Sequence, residues 1–157
     1  MTTTPVVIDA NVLVALTDAH DKWHPVAVTL RDALLAVNAS LVYFDCVVNK
    51  AIGVIGRRAE EQKRSDQFGS LLDGMIALVP ELQITWISAA GQRLYEPVLR
   101  LCRQHGGRLN FNDALIALVC QELSLSWMLS FDGDFDEIPW LARIADLPGV
   151  QRLGQVS

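Results

Sequence analysis

Four aspartates carry the chemistry this sequence is equipped for. Asp9 follows the apolar run Val6-Val7-Ile8. Asp113 stands in Asn110-Phe111-Asn112-Asp113-Ala114, and Asp132 and Asp134 in Ser130-Phe131-Asp132-Gly133-Asp134-Phe135. Carboxylates brought together repel, by roughly 4 kcal/mol for a pair about 4 Å apart at an effective dielectric near 20. Such a cluster persists only if cations occupy it or protons are taken up. Hard oxygen donors favour Mg²⁺ or Mn²⁺. Ions held this way can activate water and stabilise the leaving oxygen of a phosphodiester. Each acid also has a local structural reading: Asp9 as a helix cap, Asp113 closing a capping box with Asn110, Asp132-Gly133 as a turn. No Ser-His-Asp, Cys-His or phosphate-cradling Gly-rich motif is present. His20 and His24 are four apart and could share a helix face, but no nearby Cys or His completes a zinc set.

The elements that would position these acids alternate between strand and helix. Val6–Ile8 reads as a buried strand and residues 11–16 as a short helix. His24-Pro25 opens a second helix, with Pro25 suited to its first turn. Residues 41–44 read as a strand, Asp45 as the N-cap of the helix after it, and Val47, Ala51, Val54 and Ile55 as that helix's buried stripe. Residues 68–78 read as a helix that Pro80 cannot continue. Residues 82–87 form the third predicted strand, Ser88 the next N-cap, and a helix runs to about His105, where Gly106-Gly107 stops it. Residues 110–123 are apolar nearly all round, as a deeply buried helix would be. Residues 126–130 make a fourth strand, and a last short one is expected near Val150–Leu153. The expected fold is α/β: a three-layer α/β/α arrangement with a central parallel sheet of four or five strands, in one domain spanning 1–157. Ligands in such folds sit beyond the carboxyl ends of the strands. Asp9, Asp45 and the Asp132–Asp134 pair follow strands there, and Asp113 comes from the start of the buried helix.

The 157 residues suit one core, and 51% hydrophobic with 20% charged residues describes a globular chain. No apolar run approaches the roughly 20 residues of a membrane span, and the N-terminus lacks the basic start of a signal peptide, so a cytoplasmic protein without a membrane partner is expected. Cys46, Cys102 and Cys120 are odd in number and far apart, which suits reduced core residues. The net charge of −5 argues against bulk electrostatic capture of nucleic acid, though acids at a metal site contribute to that figure. The basic run Arg57, Arg58, Lys63, Arg64, interleaved with Glu60 and Glu61, reads as a solvated helix face or a nucleic-acid contact. Trp23, Trp86, Trp127 and Trp140 are scattered and read as core and rim fillers, with base stacking as the other use of such side chains.

These segments, in this order, resemble the PIN-domain family of nucleases. Val6-Val7-Ile8-Asp9-Ala10-Asn11-Val12-Leu13 is similar to its opening motif, and His24-Pro25 with Ala27 to the start of its second helix. Phe111-Asn112-Asp113-Ala114-Leu115-Ile116-Ala117 is similar to its third acidic motif, and Leu129-Ser130-Phe131-Asp132-Gly133-Asp134-Phe135 to its closing one. The resemblance covers residues 5 to 145. It implies an endoribonuclease dependent on Mg²⁺ or Mn²⁺, of the kind found as VapC-like toxins in type II toxin–antitoxin modules. It also implies an RNA substrate, a cognate antitoxin that covers the acidic pocket, and a homodimer. Asp9, Asp113 and Asp132 match the family's metal-site acids and Asp134 a more variable position, with Asn11 and Ser130 beside them in support.

One residue departs from the family's pattern. In Asp45-Cys46-Val47-Val48-Asn49-Lys50-Ala51-Ile52, the resemblance places glutamate where Lys50 stands. Val47 and Val54 flank position 50 by one turn on either side, so it lies at the edge of the buried stripe, within reach of a pocket. Lysine for glutamate changes the site's formal charge by two units, and an ammonium among Asp9 and Asp113 would mimic a cation. The expectation is a surviving fold with impaired metal binding and cleavage. Two alternatives stand beside it. In one, favoured by Lys50, a PIN-like domain without catalysis binds a partner or RNA; the plain structural reading of Lys50 itself is that it snorkels to solvent. The other is a phosphoacceptor receiver domain, which would need paired acids after strand one and an acid after strand three, where this chain has a single Asp9 and Ile87-Ser88-Ala89.

Overall fold

The computed structural model describes residues 2–156. Five parallel strands form one sheet in the order β3-β2-β1-β4-β5: β1 (Thr4–Ile8), β2 (Ala39–Phe44), β3 (Ile84–Thr85), β4 (Trp127–Leu129) and β5 (Ala142–Ile144). Val6, Val7 and Ile8 are each fully buried on consecutive positions of β1. Both faces of that strand are therefore covered, which is why it reads as an unbroken apolar run. The architecture is the expected three-layer α/β/α.

The helices are α1 (Ala10–Thr17), α2 (His24–Ala36), α3 (Asp45–Glu61), α4 (Phe68–Leu78), α5 (Ala90–Arg93), α6 (Tyr95–Gln104), α7 (Phe111–Glu122) and α8 (Leu147–Val156). Helix α1 packs on α2, α3 and α4, while α6 packs on α7 and α2 on α8. Asn110 caps α7 by accepting from Asp113 N–H, and Asp113 returns a bond from Asn110 N–H. Gly106 and Gly107 take φ of 59° and 81° just after α6, the left-handed conformation that lets the chain leave a helix.

Several sequence expectations are corrected. The fifth strand is Ala142–Ile144, and Val150 and Leu153 instead lie on the buried face of α8. Their spacing of three is helical, whereas a three-residue strand is too short to show a period. The third strand shrinks to Ile84–Thr85, because Glu81–Gln83 makes a 3-10 turn after Pro80 and leaves Leu82 99% exposed. The helix to His105 is broken at Leu94, where α5 ends and α6 begins. Pro97 sits in the first turn of α6, where it has no N–H to carry the earlier ladder onward. Neither Asp45 nor Ser88 is an N-cap: Phe44 and Ala89 hold those places. The Asp45 carboxylate instead accepts the N–H groups of Ile87 (2.7 Å) and Ser88 (3.2 Å), tying the ends of β2 and β3 together.

Candidate active site

Asp9 leaves β1 at its carboxyl end, with its N–H on the Leu129 carbonyl at 3.0 Å. Its carboxylate accepts from Ala10 N–H at 2.7 Å and from the Ser130 hydroxyl at 2.6 Å. Asn11 donates to both Asp9 Oδ2 and Ser130 Oγ at 3.4 Å, and its own carbonyl oxygen accepts from Phe131 N–H at 3.2 Å. Ser130 Oγ also accepts Asp132 N–H at 3.0 Å. This network joins residues about 120 positions apart and fixes the turn after β4 against the start of α1. Ser130 is completely buried, and its backbone is pinned from β5, with its N–H on the Ile144 carbonyl and its own carbonyl accepting Arg143 Nη1 at 3.0 Å.

Asp9, Asp113 and Asp132 lie within Coulombic reach of one another, and Lys50 acts on Asp9 and Asp113 with the opposite sign. Burial pushes the Asp9 carboxyl above its ordinary value, against the Ser130 and Ala10 hydrogen bonds and the Lys50 charge that pull it down. Burial likewise raises Asp113, opposed by Asn110 N–H and Lys50. Lys50 is exposed and, among the described residues, forms no ion pair with either acid. Asp134 lies in the 3-10 turn Gly133–Glu137 and gives its N–H to Asp132 Oδ1 at 2.9 Å. The local structural roles foreseen for Asp9, Asp113 and Asp132 all occur, so each acid serves as a cap while also facing the cluster.

A cleft of about 670 Å³ opens beside the acids, sharing Lys50 and Asp132 with them and running along α3 past Val54 and Arg57 to Arg58. Its other wall is the loop between α1 and α2, with Asp21, Lys22 and Trp23. The basic run is thus more than a solvated face. Arg58 Nη1 meets Asp21 Oδ2 at 2.6 Å, and Arg64 Nη2 meets Asp18 Oδ2 at 2.8 Å. The partners are 37 and 46 residues away, so no local charge pattern could reveal them. His20 sits beside Arg64 and Asp18, and His24 bonds the Ala15 carbonyl at 2.7 Å; they share no helix face.

The sequence marks Trp23 as a core or rim filler or a base-stacking ring and Phe131 as part of the closing motif, but neither their pairing nor Arg143. The two rings stack at the cleft wall with centroids 5.0 Å apart. Arg143 lies on β5, which sequence reasoning had placed elsewhere.

The PIN domain family model matches residues 6–141. The chain belongs to the PIN domain family. Two solved structures share the fold. One is VapC20 of Mycobacterium tuberculosis, a toxin cleaving the Sarcin-Ricin loop: 18% identity, TM-score 0.64, covering 87% of this chain and 96% of that one. The other is VapBC2 of Rickettsia felis bound to a DNA fragment from its promoter: 20% identity, TM-score 0.61, covering 90% of this chain and 98% of that one. Comparison with curated proteins gives no match.

The PIN family's nucleases generally use divalent metal, for which the acids of this chain are the candidate ligands. Among the described residues, no three His, Cys, Asp or Glu side chains converge to hold an ion. Asp9 has both carboxylate oxygens engaged by neighbours, and a fixed positive charge shares its field. Each Asp9 oxygen keeps a lone pair beyond its short hydrogen bond, so Asp9, Asp113 and Asp132 are the oxygen donors that could hold a divalent cation, in competition with the Lys50 charge. Among the described residues, no helix is long and apolar enough to cross a membrane.

Proposed function

We propose that this chain is a VapC-like ribonuclease scaffold, of the toxin type in toxin–antitoxin modules, whose Mg²⁺ or Mn²⁺ site is weakened by Lys50. The observation that carries the reading is the meeting of Asp9, Asp113 and Asp132 at one edge of a PIN-family sheet with a lysine in the same field. The residues' own parts follow from that geometry. Ser130 and Asn11 hold Asp9 in place, the Asn110 cap holds Asp113, and Lys50 supplies the compensating charge that a fourth carboxylate would have left to an ion. The substrate class in this reading is RNA, reached through the cleft along α3. A cognate antitoxin belongs to the same reading, supported by the fold shared with VapBC2, and a homodimeric state and a cytoplasmic location are what the family resemblance adds to it.

The second reading is a PIN-like domain that binds RNA or a protein partner without cutting. It is favoured by the exposed Lys50, whose charge stands in the field of the acids beside a cleft with further cationic residues. One comparison separates the two. The chain as written, Lys50→Glu, and Lys50→Glu combined with Asp9→Asn are assayed for RNA cleavage with Mn²⁺, alongside calorimetric Mn²⁺ titration. Cleavage and metal binding gained with Lys50→Glu and lost again with Asp9→Asn support the disabled nuclease. Neither gain in Lys50→Glu sinks it and leaves the binding module. Full cleavage by the chain as written overturns the role given to Lys50.

A further inference from the structure

We infer that Trp23, backed by Phe131, is a stacking platform for one unpaired base of single-stranded RNA, with Lys50 and Arg57 contacting the flanking phosphates. This rests on the reading of the α3 cleft as an RNA site and goes beyond it by naming the residue that selects an unpaired nucleotide. Trp23 is 43% exposed, and its ring stacks on Phe131 at an interplanar angle of 21°. Phe131 is held by the network that holds Asp9, and Trp23 by the α1–α2 loop with α2 and α3. Trp23 gives its N–H to Asp21 Oδ1 at 2.7 Å, while Arg58 grips the other Asp21 oxygen from α3. Its carbonyl accepts Ala27 N–H at 2.8 Å in the first turn of α2. Phe131 is fixed through its N–H on Asn11 and adjoins Asp132.

The chemistry around the ring suits a nucleotide. A half-exposed indole offers a flat, low-entropy face, and stacking on an aromatic ring tolerates any base. Lys22 Nζ lies over the Trp23 ring, 5.6 Å from its centroid, a loose cation–π contact that a stacking base would displace, and Lys50 and Arg57 line the same cleft. Arg58 is spent on Asp21, whereas Arg57 has only a long, exposed pair with Glu61 at 3.9 Å, so Lys22, Lys50 and Arg57 are the cations available to a backbone. Trp140 shows the contrasting arrangement: its indole N–H is bonded to the Ala117 carbonyl at 2.6 Å, as expected of a core-closing tryptophan. A duplex has no free base face to offer, so the platform selects single strands.

The test is fluorescence anisotropy of a short labelled oligoribonucleotide against the full chain, repeated across a salt series. Trp23→Ala should weaken binding at least tenfold with an unchanged salt slope, and Trp23→Phe should weaken it no more than about threefold. Lys50→Gln and Arg57→Gln should each flatten the salt slope, by roughly 0.7 per lost contact. Quenching of tryptophan emission by RNA should be present in the chain as written and largely lost in Trp23→Phe; this keeps the test alive if Trp23→Ala does not fold. If Trp23→Ala and Trp23→Phe bind and quench like the chain as written while the lysine and arginine variants still lose affinity, the platform is overturned and the RNA cleft stands. Equal affinity for duplex RNA also overturns it. If the chain as written binds no RNA and Lys50→Glu cuts none, the RNA reading itself falls and takes the platform with it.

Discussion

The two carboxylate clusters on either side of the cleft are built on opposite rules. In the loop between α1 and α2, each buried acid has its own guanidinium: Asp18 with Arg64 at 2.8 Å and Asp21 with Arg58 at 2.6 Å. At the sheet edge, Asp9, Asp113 and Asp132 have each other, their caps, and an unpaired lysine. The pKa directions follow. For Asp18 burial acts upward, but the Arg64 guanidinium and His20 N–H outweigh it and hold the carboxyl below its ordinary value. For Asp9 and Asp113 burial wins and the carboxyls rise. Paired acids hold the molecule together, while unpaired buried ones cost it stability, the pattern of a candidate functional site.

The sharpest way to test this contrast is at the unpaired end. Lys50→Glu should raise Mn²⁺ affinity by on the order of a hundredfold, a discounted figure because residue 50 is exposed. Calorimetric titration of both chains measures it, and equal affinities would remove Lys50 from the site.

Breaking the paired end should cost stability. The side chains of Asp18 and Arg64 are 6% and 13% exposed. Asp18→Asn should therefore destabilise by about 2 kcal/mol, a fall in Tm of about 4–8 °C for a chain this size. The folded-state value of Asp18 is depressed below 3.8, so its contribution is present above about pH 4 and lost as pH falls through the folded value. Thermal melts of both chains from neutral to acid pH should converge at the acid end. A constant gap would mean that the ion pair is not the source.

Asp9→Asn should do the reverse. The folded chain keeps the Asp9 proton to higher pH than the unfolded chain does, so stability falls as pH rises from 3.8 through the raised folded value. Removing the charge should raise Tm at neutral pH by about 2–4 °C, or ~1 kcal/mol. A lower Tm would show that the Ser130 hydrogen bond outweighs desolvation. The smallest effect belongs to the exposed Arg93–Glu122 pair, which joins the end of α5 to α7. Despite its 2.7 Å contact, Arg93→Ala should leave the melt unchanged.

The acid segments were legible because their signals are local. An apolar run ending in Asp9, the Asn110–Asp113 cap spacing, and the Ser130–Asp132 turn each announce themselves within a few residues. The same locality explains what was missed. The Arg58–Asp21 and Arg64–Asp18 pairs, the Trp23–Phe131 stack and the Arg143 clasp all join segments that only the sheet order brings together. Strand β5 escaped because Ala142-Arg143-Ile144 has one polar residue in three, and the helical pair Val150 and Leu153 nearby took its place. The position of Lys50 on α3 followed from helical period alone; its freedom from any ion pair did not.

The order β3-β2-β1-β4-β5 has a consequence for the timing of synthesis. Strand β1 sits at the centre, and the hydroxyl that orients Asp9 arrives from Ser130, 121 residues later. A nascent chain on the ribosome can pair β1 with β2 early, yet it has no complete acidic edge until β4 has emerged and docked beside β1. Whatever this edge does, a prematurely released fragment cannot do it.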